Sequence, residues 1–251
     1  MKEKIYTIPL SEAYESGDEC PFCHLERTAE QKTIRYVLGP AASYMEPDVR
    51  GLTDKYGFCR HHYKKMYDYG NALGNALIMQ TYYAGIIEQL EQQVASFRMP
   101  DKRPLLGKPK NKEELPLLTW AKEKQDSCYI CSRVDYHMDR YFDTFFEMIK
   151  DEEFRQKVEA SKGCCMRHLV PLLEAAALHL PNSQREWFYT TLLRLLQENT
   201  LRVKGDIDWF CGMFDYRQAG KDWKNSRDAV SRGMQKLRGL YPADPPYKQD
   251  N

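Results

Sequence analysis

Glu19-Cys20-Pro21-Phe22-Cys23-His24 admits three readings, and the choice among them decides the fold. Cys-x-x-Cys-His attaches a c-type haem, Cys-Pro-Phe-Cys has the form of a thioredoxin-like redox centre, and Cys-x-x-Cys is half of a structural zinc site. The rest of the chain answers. Cys20-x2-Cys23 is followed by Cys59-x2-His62, and Cys128-x2-Cys131 by Cys165-x2-His168. An offset of 108 carries Cys20 and Cys23 onto Cys128 and Cys131, and an offset of 106 carries Cys59 and His62 onto Cys165 and His168. The offset of 108 also lays Ile34, Val37 and Leu38 on Phe142, Phe145 and Phe146, while Gly57 and Gly163 each stand two residues before a ligand cysteine. The sequence reads as a duplicated unit.

Duplication supplies an internal control. His24 has Ser132 as its counterpart and His61 has Arg167, so neither histidine is needed in both copies. That removes the haem reading, and the helical patterning around the motif removes the thioredoxin-like one. Three thiolates and one imidazole arranged as a tetrahedron are what zinc requires; iron–sulfur clusters ordinarily take four cysteines. The expected metal ligands are Cys20, Cys23, Cys59 and His62 in copy one and Cys128, Cys131, Cys165 and His168 in copy two, each copy wrapping its own zinc ion. Four protein ligands leave no position for water or substrate, so both zinc ions are read as structural.

The 251 residues allow one large or two modest domains. Lys plus Arg (37) balance Asp plus Glu (36), so no net field calls for nucleic acid or a membrane surface. MKEKIYTIPL has no apolar stretch of signal-peptide length, and no run approaches the roughly 18 apolar residues of a membrane span. A cytoplasmic protein is expected, in which eight cysteines are metal ligands or buried thiols rather than disulfides.

The pattern is helical nearly throughout, and the fold class is all-α. A first helix from about Cys23 stops at Gly39-Pro40. A long helical stretch follows from about Cys59 to Phe97, its apolar positions Met79, Tyr83, Ile86, Leu90, Val94 and Phe97 stepping by three and four. It reads as a spine between the halves or a dimerisation surface. Residues 99–116, with four prolines and a basic cluster, read as a linker. The domains expected are therefore 1–98 and 117–251, as two repeats or one compact body. Copy two fills roughly 117–180, Ser183 and Glu186 have capping-box spacing before a further helix, and a last helix runs from about Asp222 to Leu237. IYTIP near the start is the one strand candidate. The tail YPADPPYKQDN reads as disordered.

Two polar clusters are candidates for a ligand site or for acid–base chemistry. One is Tyr44, Glu46, Asp48 and Arg50, ahead of a zinc knuckle. Copy two echoes its acid–apolar–Arg element as Glu153-Phe154-Arg155, which favours ion pairing within the scaffold. The other is Asp215, Tyr216 and Arg217 among the aromatics of 206–223, which can line a ligand pocket but favour an ordinary helix junction. Cys164, beside ligand Cys165, replaces the apolar Phe58 of copy one and reads as a small buried hydrophobe; the vicinal pair also suggests an oxidation switch releasing zinc.

The stretches IPLSEAY (8–14), CPFCHLE (20–26), LGPAASYMEPDVR (38–50), YGFCRHHYKKMY (56–67), NALGNALIM (71–79), CYIC (128–131), GCCMRHL (163–169) and FDYR…DW (214–223) together resemble a bacterial family, domain of unknown function 6062. The resemblance spans nearly the whole chain and implies a two-zinc helical scaffold without an assigned reaction. Some members carry an ABC-transporter substrate-binding label, which implies a signal or lipid anchor.

No phosphate loop, nucleophile elbow or metalloprotease His-x-x-x-His appears. The leading expectation is a zinc-stabilised module that binds a protein partner or ligand, or self-associates. An enzyme using 44–50 or 206–223 is the alternative, followed by a nucleic-acid-binding or redox-sensing zinc protein.

Overall fold

The computed structural model describes residues 5–98 and 115–239. Among them are eleven α-helices, three short 3₁₀ turns and no strand. The chain is all-helical.

The expected strand at IYTIP is instead the start of helix α1 (Thr7–Glu15). Pro9 sits in its first turn, where a missing N–H costs nothing, and Leu10 and Ala13 are buried one helical step apart. Helices α2 (Pro21–Leu38) and α7 (Tyr129–Met148) begin immediately after Cys20 and Cys128. The long stretch expected from 59 to 97 is two helices, α4 (Arg60–Tyr69) and α5 (Ala72–Ser96). Gly70 breaks it at φ +92°, a left-handed conformation natural to glycine. Asn71 then caps α5 by accepting from Gly74 N at 2.9 Å and donating to Leu38 O at 2.7 Å. Helix α3 (Pro47–Tyr56) precedes α4, and α6 (Pro116–Asp126) follows α5.

The later elements are α8 (Glu152–Ala160), α9 (Met166–His179), α10 (Asn182–Gly212) and α11 (Ala229–Arg238). The capping box at Ser183 is not formed: α10 begins at Asn182 and Pro181 is its N-cap. Proline fixes the extended entry there, so the helix starts a residue before Ser183 can cap it. The last helix expected from Asp222 is a 3₁₀ turn at Lys224–Ser226 followed by α11. Most of the linker reading, 99–114, and the tail from 240 lie outside the described residues.

Two compact units are formed, but not from the halves 1–98 and 117–251. The first takes residues 5–29 and 135–239, the second 30–98 and 115–134; the boundaries fall within α2 and α7. In the first unit the core is aromatic: Phe22, Phe145, Phe146 and Phe188 are all nearly inaccessible. Phe22 stacks on Phe142 at 5.1 Å, and Phe146 meets Phe188 edge-on at 5.4 Å. Beside it, buried Glu19 accepts from Arg202 at 2.5 Å, and Lys236 Nζ donates to the carbonyls of Glu19 and Lys162 at 2.8 and 2.7 Å. This ties α10 and α11 to the residue preceding Cys20. In the second unit Ile34, Val37, Leu38, Met66, Ile78 and Ile130 form an aliphatic core.

Gly57 and Gly163 have φ of +57° and +72°. A Cβ on Gly163 meets Leu195 Cβ at 2.9 Å, and one on Gly57 meets the Tyr82 ring at 2.5 Å. Each glycine lets the backbone turn into the cysteine two residues on. Gly163→Ala is expected to lower stability by about 1–3 kcal/mol, whereas Gly51→Ala, with open space at its Cβ in α3, raises it by roughly 0.5–1 kcal/mol; denaturant titration of the two variants checks both signs.

Candidate metal centres

All eight expected ligands are gathered into two clusters, with the pairs crossed. Cys20 and Cys23 meet Cys165 and His168, and Cys59 and His62 meet Cys128 and Cys131. The expected grouping of each Cys-x-x-Cys with the Cys-x-x-His that follows it is corrected: the knuckle at 20–23 joins the one at 165–168, and the knuckle at 59–62 joins the one at 128–131. Each cluster lies within one unit.

The four knuckles share one local construction. Cys59 and Cys165 are the extended N-caps of α4 and α9 (ψ 163° and 165°), with the histidine in the first turn. Cys20 and Cys128 stand just before α2 and α7, with Cys23 and Cys131 in the first turn. A helix start turns residues i and i+3 to one side, and its unpaired N–H groups favour thiolate over thiol.

The donor distances fit a tetrahedral ion. Zn–S of about 2.3 Å and Zn–N of about 2.0–2.1 Å imply S···S edges of about 3.8 Å and S···N edges of about 3.6 Å. In the first cluster Cys23 and Cys165 sulfurs lie 3.6 Å apart, and His168 Nδ1 lies 3.5, 3.5 and 3.2 Å from Cys20, Cys23 and Cys165. In the second, Cys59 and Cys131 sulfurs are 3.9 Å apart, and His62 Nδ1 lies 3.2, 3.2 and 3.4 Å from Cys59, Cys128 and Cys131. All eight cysteines of the chain are free thiols. Without a cation the sulfurs must share protons. Burial pushes the Cys20 thiol up, and the hydrogen bonds to Cys165 and Cys20 push Cys23 up. The bonds from Cys20, Cys23 and His168 hold the Cys165 thiolate far down. In the other cluster Cys131 bonds to Cys128 and helps hold it down at about 3, while Cys131 itself is pushed up. A dication lets all three sulfurs ionise together.

Behind each histidine stands a carboxylate that the sequence reading did not find. His62 Nε2 donates to Glu30 Oε1 at 2.8 Å, and Lys65 Nζ lies 2.6 Å from Glu30 Oε2. Burial pulls His62 down, but its bonds to Cys128 and Glu30 outweigh that and raise it to about 10. His168 Nε2 lies 3.5 Å from Glu26 Oε2, and Arg167 pairs with Glu26 at 2.6 Å. Such a carboxylate fixes the imidazole so that Nδ1 faces the metal. Both glutamates are on α2, one turn apart. The offset of 108 lays them on Val134 and Met138, so that comparison conceals them. His61 and Arg167, set aside as non-ligands, flank these carboxylates: His61 Nε2 is 3.6 Å from Glu30.

The polar candidates are placed elsewhere. Tyr44 is buried, while Glu46 and Asp48 are exposed at the start of α3, where Asp48 lies in the first turn. Arg50 donates to Met45 Sδ at 3.5 Å. Arg155 of the echoing element donates to Ile149 O at 2.7 Å and lies over the Trp187 ring. Asp215 caps a 3₁₀ turn and pairs with Arg217, with Tyr216 87% exposed. Cys164 is buried, and that burial pushes its thiol up to about 12; Cys211 is exposed. A cleft of about 600 Å³ in the second unit, lined by Tyr63, Tyr67, Met79, Tyr82, Ile86 and Trp120 among others, had no signal beyond the tyrosine spacing. No helix among the described residues is long and apolar enough to cross a membrane.

Fold and site together define an all-helical protein with two Cys3His clusters, each able to hold a metal ion. The chain belongs to the Family of unknown function (DUF6062), whose family model matches residues 1–244. Comparisons with curated proteins and with solved structures returned no match.

Glu30→Gln and Glu26→Gln are expected to weaken zinc binding about 10–100-fold each at one of two sites. Glu46→Gln should leave both unchanged; competition against a chromophoric chelator reads the difference.

Proposed function

We propose that the protein is a helical scaffold closed by two structural zinc ions, and that it works by binding a protein or ligand rather than by catalysis. One observation carries the reading: two sets of three sulfurs and one imidazole nitrogen each lie within 4.8 Å of one another, close enough to share one tetrahedral ion. The donor types favour zinc over magnesium or calcium, which take oxygen. With four protein ligands each ion has no open position, so it supports structure rather than activating water. The aromatic cleft of the second unit has the size and apolar lining of a ligand pocket. By contrast, Asp215 caps an exposed 3₁₀ turn and pairs with Arg217, and Glu46 and Asp48 stand exposed at the start of α3.

In this reading a segment bearing two knuckles was duplicated, and the copies exchanged partners. The recurrence of one helix-start construction at all four knuckles supports the duplication. Free thiols at eight positions suit a reducing compartment such as the cytoplasm.

Metal analysis of the purified chain is expected to give two zinc ions per molecule. Cys20→Ser with Cys165→Ser should cost one ion, because both belong to one cluster; Cys20→Ser with Cys59→Ser should cost two. The opposite pattern contradicts the crossed grouping, and a chain purified without zinc that melts unchanged contradicts the proposal. A strong chelator should lower the melting temperature of both units, since zinc in such sets contributes about 10–16 kcal/mol.

A further inference from the structure

Helix α5 buries only Gly74 and Ile78. From Ala76 to Phe97, its C-cap, the residues Ala76, Gln80, Tyr83, Ile87, Leu90, Val94 and Phe97 follow one another by alternating steps of four and three. All seven are exposed; Tyr83, Ile87 and Val94 are 62%, 53% and 67% accessible. The opposite side of the same helix is the one fixed to its unit. There Thr81 donates to Asp54 at 2.7 Å, and Gln89 accepts from Trp120 Nε1 of α6 at 3.0 Å. A helix that serves only its own unit turns its apolar stripe inward. In α5 the stripe faces outward.

Three features specify the occupant. Alternating steps of four and three are the seam of knobs-into-holes packing, so the complement is another helix rather than a strand or a small molecule. Within the seam, β-branched Ile87 and Val94 alternate with Leu90 and Phe97, the arrangement that favours two strands. Glu91 is the only charge bordering the seam between Tyr83 and Phe97, so a second copy meets no block of like charge. At their fractional exposures the seam side chains offer on the order of 600 Å² per copy, and a pair buries roughly 1,200 Å², where specific interfaces begin. We infer that two copies of the chain associate through α5, seam against seam.

Gln80 fits this assignment: a single polar residue at one core position sets register at a cost in stability. The pairing is independent of which metal fills the clusters.

Sedimentation equilibrium of the full, metal-loaded chain is expected to show a dimer. Leu90→Glu with Val94→Glu places charges in the seam and should weaken the dimer about 100-fold or more. Helical content and zinc per chain should stay unchanged, because both residues are exposed and remote in sequence from the ligands. Gln80→Leu should tighten the dimer about tenfold. A wild-type chain that stays monomeric at about 100 μM, a dimer that the double glutamate variant leaves intact, or a seam occupied by a different protein overturns the inference. Zinc measured on the same samples keeps that outcome separate from a failure of the metal assignment.

Discussion

Three sulfurs and one imidazole nitrogen, all within 4.8 Å of one another in each cluster, are the constraint on which both units depend. Thiols packed so closely can share one or two protons among themselves, but they cannot all ionise without a counter-charge in their midst. The chain prepares for that charge twice over. Each cluster sits at helix starts, and a carboxylate lies within 3.5 Å of the remaining nitrogen of each histidine. An ion held this way is worth as much as the whole net stability of an ordinary domain. The surrounding helices then need only moderate cores, and the second unit's core is modest.

The helical class and the eight clustered side chains were legible because both depend on local spacing. A cysteine with a second ligand three residues on is a helix-start pattern whatever surrounds it. The partnership was not legible, because the four knuckles are of only two kinds. Every Cys-x-x-Cys can join either Cys-x-x-His to give the same Cys3His set, so composition cannot distinguish a site built from successive knuckles from one built from distant ones. Only long-range packing settles it: Tyr129 N donates to Gly57 O at 2.9 Å and Ser127 Oγ to Tyr56 O at 2.7 Å, stitching the knuckles at 59–62 and 128–131 together.

Other misses have equally particular causes. Glu26 serves His168, far along the chain, and Glu30 serves His62; the offset of 108 lays them on Val134 and Met138, so no recurrence marks them. IYTIP has strand-like alternation, yet Leu10 and Ala13 are buried at a helical interval. The α5 pattern declared a helix with one apolar face, but periodicity alone states that a face wants cover and is silent on what supplies it. Gly70 ends α4, and Asn71 caps α5 directly after it.

The unit formed around residues 30–134 is an insertion within the other. Its last sulfur, on Cys131, leaves the ribosome before the first unit's closing imidazole, on His168. At about 5–20 residues per second, translation leaves the amino-terminal knuckle at Cys20 and Cys23 open for roughly 2–7 s after the inner site can close. During synthesis the inner unit can therefore mature first, while the earliest-made thiols wait longest for their partners and are the ones most in need of a reducing environment.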